Sequence, residues 1–353
     1  MTRSSTLLSR PVSTLGAALA FLLGALITPE AGAQDRVGTT VGTFLTLGTG
    51  ARGQSLGHAY VTEAEGADAL FWNPANAGQR FGNQNGSVFL TQHEWIADIR
   101  YNAGAVTVPM GTGTMGLSIA SVSYGRDIVR TERQPEGTGD TFGASDFSFG
   151  LSYARPLTEA FHFGGTVKYI RQSIWDMSAN GFAADFGILL DTGLNGVTLA
   201  ASIQNFGSKM QMGGVNAQRT IDVDPSTNGN NEYVTTQIEM ERWDLPLSFR
   251  FGASAPVFRA AGAELRVLAD AQQTNDNVLN ADFGGLLSYD AGPVGLELRG
   301  GYRDAFADNV DGHYSFGGGV RAGVSGYEIG VDVGYLPFTT LGNATLFDLR
   351  LEF

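Results

Sequence analysis

Apolar and polar residues alternate along most of the chain, from Asn85 to its last residue. Phe147, Phe149, Leu151 and Tyr153, for example, are separated by small or polar residues. Successive side chains of a β-strand point to opposite faces, so each such segment has one apolar face and one polar or small face. The alternation predicts fourteen strands, at residues 85–93, 99–108, 113–124, 145–156, 160–171, 180–191, 196–206, 245–255, 262–273, 280–290, 293–303, 313–323, 325–335 and 342–353.

The predicted strands are long enough to cross a membrane. A tilted strand needs about 9 to 11 residues to span the hydrocarbon layer, whereas strands of soluble proteins average about 5 or 6. The connections 109–112, 191–195 and 290–292 are short, and the longest connections, 125–144, 207–244 and 304–312, all follow odd-numbered strands. Short turns at one rim and long loops at the other are typical of outer-membrane barrels. The predicted fold class is therefore all-β, a transmembrane antiparallel β-barrel of about fourteen strands.

Such a barrel has to be closed. In lipid every backbone N–H and C=O needs an internal partner, and a sheet achieves this only when it has no edge. In the last predicted strand Phe347, Leu349, Leu351 and Phe353 alternate with charged residues. A terminal aromatic residue on an amphipathic closing strand resembles the recognition signal of the bacterial barrel assembly machinery. Phe353 is accordingly the candidate assembly signal, and that machinery is an expected partner.

The polar faces of the predicted strands carry charges of both signs. Mixed charges suit side chains that pair across a bore or hold a plug, and they argue against an ion-selective pore with rings of one sign. The residues predicted to point inward are Arg250, Glu264, Arg266, Asp270, Glu297, Arg299, Arg303, Glu328, Asp332, Asp348, Arg350 and Glu352.

The N-terminus has the three regions of a secretory signal peptide. Arg3 and Arg10 precede an apolar stretch from Leu15 to Ile27, and Ala31-Gly32-Ala33 supplies an A-x-A cleavage site. The apolar stretch is shorter than the roughly 17 residues that a membrane-spanning helix needs. We therefore expect a cleaved signal peptide at residues 1–33, export from the cytoplasm, and a location among the lipids of a Gram-negative-type outer membrane.

Composition excludes several classes of function. The net charge of −13 leaves no basic patch for nucleic acid. The absence of Cys excludes disulfides and thiolate chemistry, and four scattered His leave little material for a zinc site. Glu63 and Glu65 lie in a polar stretch and are expected to be solvated. We find no catalytic constellation, so we expect a protein that is not an enzyme and that has no cofactor, no metal and no nucleic-acid partner.

Two motif matches lack the context that their chemistry requires. Gly48–Gly53 has the form G-x-G-x-x-G, but the strand and the helix of a dinucleotide-binding unit do not flank it. Asp222, Asp224, Ser226 and Asn228 have the alternate oxygen spacing of a calcium loop, but Thr227 stands where an EF-hand requires Gly. We interpret the second match as a solvated acidic loop.

Residues 34–84 do not alternate in the same way. They contain Phe44-Leu45-Thr46-Leu47-Gly48-Thr49-Gly50-Ala51-Arg52-Gly53, Leu56-Gly57-His58-Ala59-Tyr60 and Asp68-Ala69-Leu70-Phe71-Trp72-Asn73-Pro74-Ala75. These phrases resemble the N-terminal signature of the PorV/PorQ family of outer-membrane proteins, which is itself similar to the FadL long-chain fatty-acid transporters.

The resemblance implies a barrel at residues 85–353 and an N-terminal segment, residues 34–84, that folds inward as a hatch. The hatch-motif residues that it implies are Arg52, Gly57, Tyr60, Asn73, Pro74 and Ala75. A ring of fourteen strands is wider than its own side chains can fill, which fits a plug. The residues Asn73-Pro74-Ala75 form either a simple turn or part of a gate.

Two functions remain open. A PorV/PorQ-like protein acts in type IX secretion or surface attachment, and it would bind secreted cargo or surface proteins through the loops at 125–144 and 207–244. A FadL-like protein transports long-chain fatty acids or other hydrophobic small molecules through the barrel wall, for which Trp175, Met177 and Phe182 are candidate lining residues. A general diffusion porin is a third alternative, which the predicted hatch and the mixed bore charges oppose.

Overall fold

Fourteen long strands form the wall of the molecule. In this computed structural model, residues 38–78, 86–95, 99–224, 226, 233–307, 311–340 and 342–353 are described. The wall strands are β1 (Ser87–Glu94), β2 (Arg100–Met110), β3 (Gly113–Ile128), β4 (Thr141–Pro156), β5 (Phe161–Ile174), β6 (Met177–Asp191), β7 (Thr198–Gly207), β8 (Ser248–Ala260), β9 (Ala263–Thr274), β10 (Asn280–Ala291), β11 (Val294–Tyr302), β12 (Tyr314–Val324), β13 (Tyr327–Phe338) and β14 (Gly342–Glu352).

The wall closes on itself without an edge. Each strand pairs antiparallel with its sequence neighbours, and β14 pairs with β1 from Ser87↔Glu352 to Glu94↔Thr345. Beside this seam, the backbones of Gly86 and Phe353 exchange two hydrogen bonds of 2.7 and 2.9 Å. The predicted closed antiparallel barrel of fourteen strands is therefore confirmed.

The two faces of the wall have opposite polarity. In β4, Phe147, Phe149 and Leu151 are exposed on the outside, whereas Asp146 and Ser148 are buried on the inside. An outer face of exposed apolar side chains suits contact with lipid. The inward-pointing charges of the sequence analysis are buried (Arg250, Asp270, Glu297, Arg299, Arg303, Asp332, Asp348 and Arg350) or partly buried (Glu264, Arg266, Glu328 and Glu352).

The connections distinguish two rims, a short-turn rim and a long-loop rim. The turns β2–β3, β8–β9, β10–β11 and β12–β13 at the short-turn rim have two residues each. The connection 208–247 at the long-loop rim is the longest and includes the exposed strand pair Gln218–Ile221 and Val234–Gln237. The predicted loop at 125–144 is too long, because β3 continues to Ile128 and β4 starts at Thr141. Apolar alternation stops where the strands leave the lipid, although their backbone pairing continues.

A segment that precedes the wall strands lies against their inner faces. We call Gly38–Gly78 the inner segment; it contains 3₁₀ turns at Thr43–Thr46 and Pro74–Gly78 and the short helices α1 (Ala51–Ser55) and α2 (Ala69–Trp72). Helix α1 contacts β11 to β14, and the turn Pro74–Gly78 contacts β3 to β6, so the segment reaches opposite parts of the ring.

Parts of the sequence-based domain assignment lie outside the described residues. These are the predicted signal peptide at 1–33 and both ends of the predicted hatch segment at 34–84. No helix in the described ranges has the length and hydrophobicity of a membrane-spanning helix.

Candidate functional site

Two wall carboxylates hold the backbone of the inner segment. Asp348 of β14 accepts the N–H of Ala51 at 2.6 Å, at the start of α1. Asp270 of β9 accepts the N–H groups of Tyr60 and Val61, each at 2.9 Å. These buried donors would otherwise lack partners, so the two contacts fix the segment to two sides of the ring.

Six buried or partly buried charged side chains form a closed ring of ion pairs, which we call the ionic ring. The inner segment contributes Arg52 and Glu65, whose Nη1 and Oε1 atoms are 2.5 Å apart. The ring continues from Glu65 to Arg350 (3.0 Å), Arg350 to Asp332 (2.9 Å), Arg299 to Asp332 (2.5 Å), Arg299 to Glu297, and Glu297 back to Arg52 (3.3 Å).

Three bases thus alternate with three acids in the ionic ring. Buried charges are stable only when they are paired and hydrogen-bonded. The expectation that Glu65 is solvated is wrong, because Glu65 pairs with two guanidiniums inside the bore. The same holds for Glu63, which contacts Arg266 at 2.8 Å and accepts a hydrogen bond from Ser254.

The hatch-motif residue Tyr60 is buried next to a buried acid. Its hydroxyl donates to Asp68 Oδ2 at 2.9 Å, and Asp68 Oδ1 accepts the backbone N–H of Glu65 at 3.0 Å. Burial raises the pKa of Asp68 to about 6. Burial opposes ionisation of Glu65 too, but the guanidiniums of Arg52 and Arg350 outweigh it and hold the pKa of Glu65 below its ordinary value.

Asn73 does more than shape a turn. Its amide nitrogen donates to Val61 O at 3.3 Å and to Ile188 O of β6 at 3.1 Å, and its side-chain oxygen accepts the N–H of Ala75 at 3.1 Å. One side chain therefore joins three parts of the chain: the Pro74–Gly78 turn, the preceding part of the inner segment and the wall. Asn76 reinforces this with hydrogen bonds to Val61 O and Ala64 O.

Glycines let the inner segment approach the wall backbone. Gly57 adopts a φ of +65°, and a Cβ there would lie 2.6 Å from the backbone nitrogen of Tyr302. On the other side of the ring, a Cβ on Gly164 would lie 2.4 Å from the carbonyl carbon of Pro74. Backbone contact at both places requires Gly, and Gly57 also needs its left-handed conformation. Ala75, the remaining hatch-motif residue, is fully buried with Val61, Leu189 and Ala200.

A small internal cavity of about 40 Å³ lies between the inner segment and the wall. Its apolar side is formed by Phe44, Leu45, Leu70 and Phe71, and Tyr101, Lys168, Asp185 and Gln204 are among the residues of its polar side. Lys168 pairs with Asp185 at 2.9 Å, beside an irregularity in the β6–β7 pairing. This volume is enough for a few water molecules, since one water needs about 10–15 Å³. A larger ligand can enter only if the inner segment moves.

A second, larger hollow lies on the outer face of the wall over β13, β14 and β1 to β4. This outer groove has a volume of about 610 Å³ and is lined mainly by apolar side chains, including Leu90, Ile119, Phe147 and Phe347. Ala120 lines both the groove and the internal cavity. Around Ala120 the wall carries the small residues Ala103 and Gly104, although the β2–β3 backbone pairing is continuous from Arg100↔Ser123 to Met110↔Gly113.

Two of the predicted wall-lining residues lie elsewhere. Trp175 is half exposed in the β5–β6 turn and packs against Phe142, and Phe182 lies on the outer face against Tyr169. Trp175 lies beside a strand end as predicted, whereas Phe182 is the sixth residue of β6. The cavity is lined by the inner segment and β2 to β7, and the groove by β13, β14 and β1 to β4.

Sequence reasoning also missed the polar side chains that fix the inner segment. Gln54 donates to the Gly48 carbonyl at 2.8 Å, and the Trp72 indole donates to the Thr49 carbonyl at 2.8 Å. The sequence did contain a signal for these contacts: acid and amide side chains recur between Gln54 and Asn76, in a segment otherwise rich in Gly and Ala. Among the described residues, no group of three His, Asp or Glu side chains is arranged to hold a metal ion.

No known protein family and no curated protein sequence matches the chain significantly. Solved structures do. The toluene transporter TbuX of Ralstonia pickettii aligns with 11% identity and a TM-score of 0.52, over 86% of this chain and 97% of that chain. The toluene transporter TodX of Pseudomonas putida aligns with 10% identity and a TM-score of 0.54, over 86% of this chain and 97% of that chain. This protein therefore shares the barrel fold of two proteins described as toluene transporters.

Proposed function

We propose that the protein is a non-enzymatic outer-membrane transporter of hydrophobic small molecules, and that the inner segment is its hatch. The observation that carries the proposal is the thin wall at Ala103, Gly104 and Ala120, where the outer groove and the internal cavity lie back to back. The barrel fold shared with the two toluene transporters supports the same substrate class.

In this proposal a hydrophobic molecule enters from the long-loop rim and leaves sideways into lipid. Displacement of the Phe44 and Phe71 side chains enlarges the cavity, and local separation of β2 from β3 connects the cavity to the groove. Small side chains at the crossing leave the backbone pairing as the main barrier. Sideways exit delivers an apolar molecule to an apolar phase, so it avoids the cost of crossing water.

The test is to fill the groove. Gly104 faces the groove, and a Cβ there would lie 3.1 Å from the Leu90 side chain. Gly285 is the matched control, because it faces outward on β10, where the atom nearest to a new Cβ is the Gly300 carbonyl oxygen at 4.0 Å. Uptake of radiolabelled toluene is measured in proteoliposomes that carry the wild type, Gly104→Trp or Gly285→Trp.

We expect Gly104→Trp to lower uptake about tenfold or more and Gly285→Trp to leave it unchanged, since only the first blocks the thin wall. Equal uptake by all three proteins would refute sideways exit. A steady ion conductance of the wild type in a planar bilayer would favour a diffusion porin instead.

A PorV/PorQ-like role in binding secreted or surface proteins is the second candidate. It is favoured by the 208–247 connection, where Ile221, Val223 and Tyr233 are exposed, Tyr233 to 81%. Exposed apolar side chains on a projecting loop are a common feature of protein-binding surfaces. Replacement of residues 215–240 by a Gly-Ser linker should abolish the recovery of a secreted or surface protein in pull-downs and leave toluene uptake intact. Pull-downs that are empty for the wild type would contradict this role.

A further inference from the structure

The outer face of the wall becomes polar near the long-loop rim of β2 to β6. Four serines and an arginine lie opposite each other in the strand register, in the order Arg100↔Ser123, Ser123↔Ser145, Ser145↔Ser173 and Ser173↔Ser178. They share a face with Phe147 and Phe149, since residues directly opposite in a sheet, and residues two apart in a strand, point to the same side. This row therefore points toward the lipid.

Two more arginines flank the row. Arg171 lies two residues before Ser173 in β5 and pairs in register with Phe147. Arg126 lies opposite Gly143, beyond the bulge between Ser123 and Arg126. Both side chains are exposed, as is Arg100. We call the row and its flanking arginines the outer polar band: Arg100, Ser123, Arg126, Ser145, Arg171, Ser173 and Ser178.

The outer polar band lies at the height expected for the lipid headgroups. Arg100 is the first of the 11 residues of β2, whose last residue reaches the short-turn rim. A strand tilted by about 40° rises roughly 2.5 Å per residue along the barrel axis, so Arg100 stands roughly 25 Å above that rim, close to the height of a barrel's apolar band. The band thus lies at the boundary between hydrocarbon and headgroups.

Several other strands carry aromatic side chains at this height. The outward residues near the upper ends of β8, β11, β12 and β13 are Phe249, Tyr302, Tyr314 and Tyr335. Aromatic side chains of this kind form the ordinary interfacial girdle of a barrel. On β2 to β6 the outward aromatic side chains of Phe147, Phe182 and Trp175 are accompanied by a row of hydroxyl and guanidinium groups.

The arginines of the band have no ion-pair partner within the described parts of the chain. Glu94 lies opposite Arg100 in the β1–β2 register but is not within ion-pair distance, and Asp127 beside Arg126 pairs with Arg130 instead. Three guanidiniums beside a row of hydroxyls provide positive charge and many hydrogen-bond donors. Phosphate is a typical ligand of such donors.

Apolar surface begins two pairing rows below the band, at Leu90 and Ile119. The intervening pairing row, Asn102↔Ser121, lines the upper part of the outer groove, and the groove descends along Ile119 and Leu90. A polar, cationic surface above an apolar groove matches a lipid with a phosphorylated headgroup and long acyl chains.

We propose that the outer polar band binds a phosphorylated glycolipid of the outer leaflet, with its phosphates on Arg100, Arg126 and Arg171 and one acyl chain in the groove. The inference rests on the outer-membrane location within the proposed function but not on transport. The bound lipid fixes the barrel's depth and orientation in the leaflet, and its acyl chain occupies the mouth through which the proposed substrate leaves.

The test uses the folded full-length barrel in detergent and bis-phosphorylated lipid A as the probe, with binding followed by native mass spectrometry. The variant is R100Q/R126Q/R171Q. The matched control is R130Q/R219Q/R242Q, which removes the same charge from exposed positions outside the outer polar band. Heat-modifiable migration in gels verifies that each barrel is folded, and toluene uptake is measured in parallel.

We expect the band variant to bind lipid A at least about tenfold more weakly than the wild type, and the control to bind it as the wild type does. Dephosphorylated lipid A should bind the wild type and the band variant equally. Equal weakening by both variants, or equal affinity for dephosphorylated lipid A, would overturn the proposal, because the band would then be ordinary interfacial polarity. A change of oligomeric state in the band variant, with lipid binding intact, would also overturn it in favour of contact between barrels. Lipid binding by a barrel that takes up no toluene would leave this inference standing and refute only transport.

Discussion

Asp348, in the strand that closes the barrel, accepts the backbone N–H of Ala51 at 2.6 Å. Asp348 thus holds helix α1, which carries Arg52 of the ionic ring. Assembly of the wall and seating of the segment are thereby coupled, since β14 must pair before this acceptor is in position.

Asp348→Ala should loosen α1 without opening the wall. The variant leaves the buried N–H of Ala51 without a partner, which costs about 1–3 kcal/mol. We expect amide hydrogen exchange at Ala51–Ser55 to accelerate about tenfold or more, whereas the wall strands exchange as before. Asp290→Ala is the control, because Asp290 is 62% exposed at the rim. Similar acceleration in both variants would contradict the assigned role of Asp348.

Arg52→Gln should destabilise the protein far more than Arg321→Gln. Arg52 is buried between Glu65 and Glu297, so its loss leaves these buried carboxylates without a partner. The expected loss in the free energy of unfolding is about 3–5 kcal/mol. Arg321 pairs with the exposed Asp290, and such surface pairs contribute about 0–1 kcal/mol. Urea unfolding of the detergent-solubilised proteins measures the difference. Equal midpoints would show that the ionic ring contributes nothing to stability.

Gly164→Ala and Gly165→Ala test the backbone contact between the inner segment and β5. A Cβ at Gly164 would collide with Pro74 at 2.4 Å, whereas at Gly165 the nearest atom lies 3.5 Å away. We expect Gly164→Ala to expose the Pro74–Gly78 turn to protease, at a cost of about 1–3 kcal/mol, and Gly165→Ala to change stability by less than about 0.5 kcal/mol. Identical protease resistance of the two variants would disprove the contact.

The seating of the inner segment should depend on pH through Asp68. Its pKa is raised by burial from an ordinary 3.8 to about 6, so the folded state holds this proton more tightly than the unfolded state. The resulting stabilisation is fully present below pH 3.8 and is lost as the pH rises through 6. The pKa of Glu65 is lowered, so its contribution to stability is lost as the pH falls through its folded-state pKa.

Between about pH 4.5 and 6.5 we therefore expect faster protease cleavage of the inner segment as the pH rises. Asp68→Asn should make this slope shallower, because the amide does not titrate. A slope that is unchanged in Asp68→Asn would assign it to another group.

Phe353→Ala should reduce assembly of the barrel in cells, since we propose the terminal aromatic residue as the signal for the assembly machinery. Phe347→Ala is the control, because Phe347 points outward from the same strand and is 56% exposed. The measurement is the fraction of heat-modifiable protein in the outer-membrane fraction. Equal assembly of both variants would show that Phe353 has no special role.

The wall was predictable because lipid and bore impose opposite demands on alternate residues. Alternation placed the strands and the inward charges, such as Glu297 and Asp332, from sequence alone. It failed where that demand ends, as at Ile128 and Thr141, where strands continue into water. The inner segment could not be derived in this way, because it is buried by contacts with β3 to β6 and β11 to β14 that are distant in sequence.

The same limit applied to Glu65. Nothing in its neighbourhood along the chain marks it as buried, and its partner Arg350 lies near the other end of the sequence. The resemblance in the N-terminal phrases identified Arg52, Tyr60 and Asn73, but not the acids that neutralise Arg52.

The composition of the ionic ring determines what remains if the inner segment withdraws. Arg52 and Glu65 would depart as one cation and one anion, and Glu297, Arg299, Asp332 and Arg350 would stay behind as two of each sign. The four that stay are already joined to one another from Glu297 to Arg350. The ionic ring itself therefore loses no net charge on withdrawal, whereas the departure of Glu63 would leave Arg266 with Glu264 as its remaining ion-pair partner.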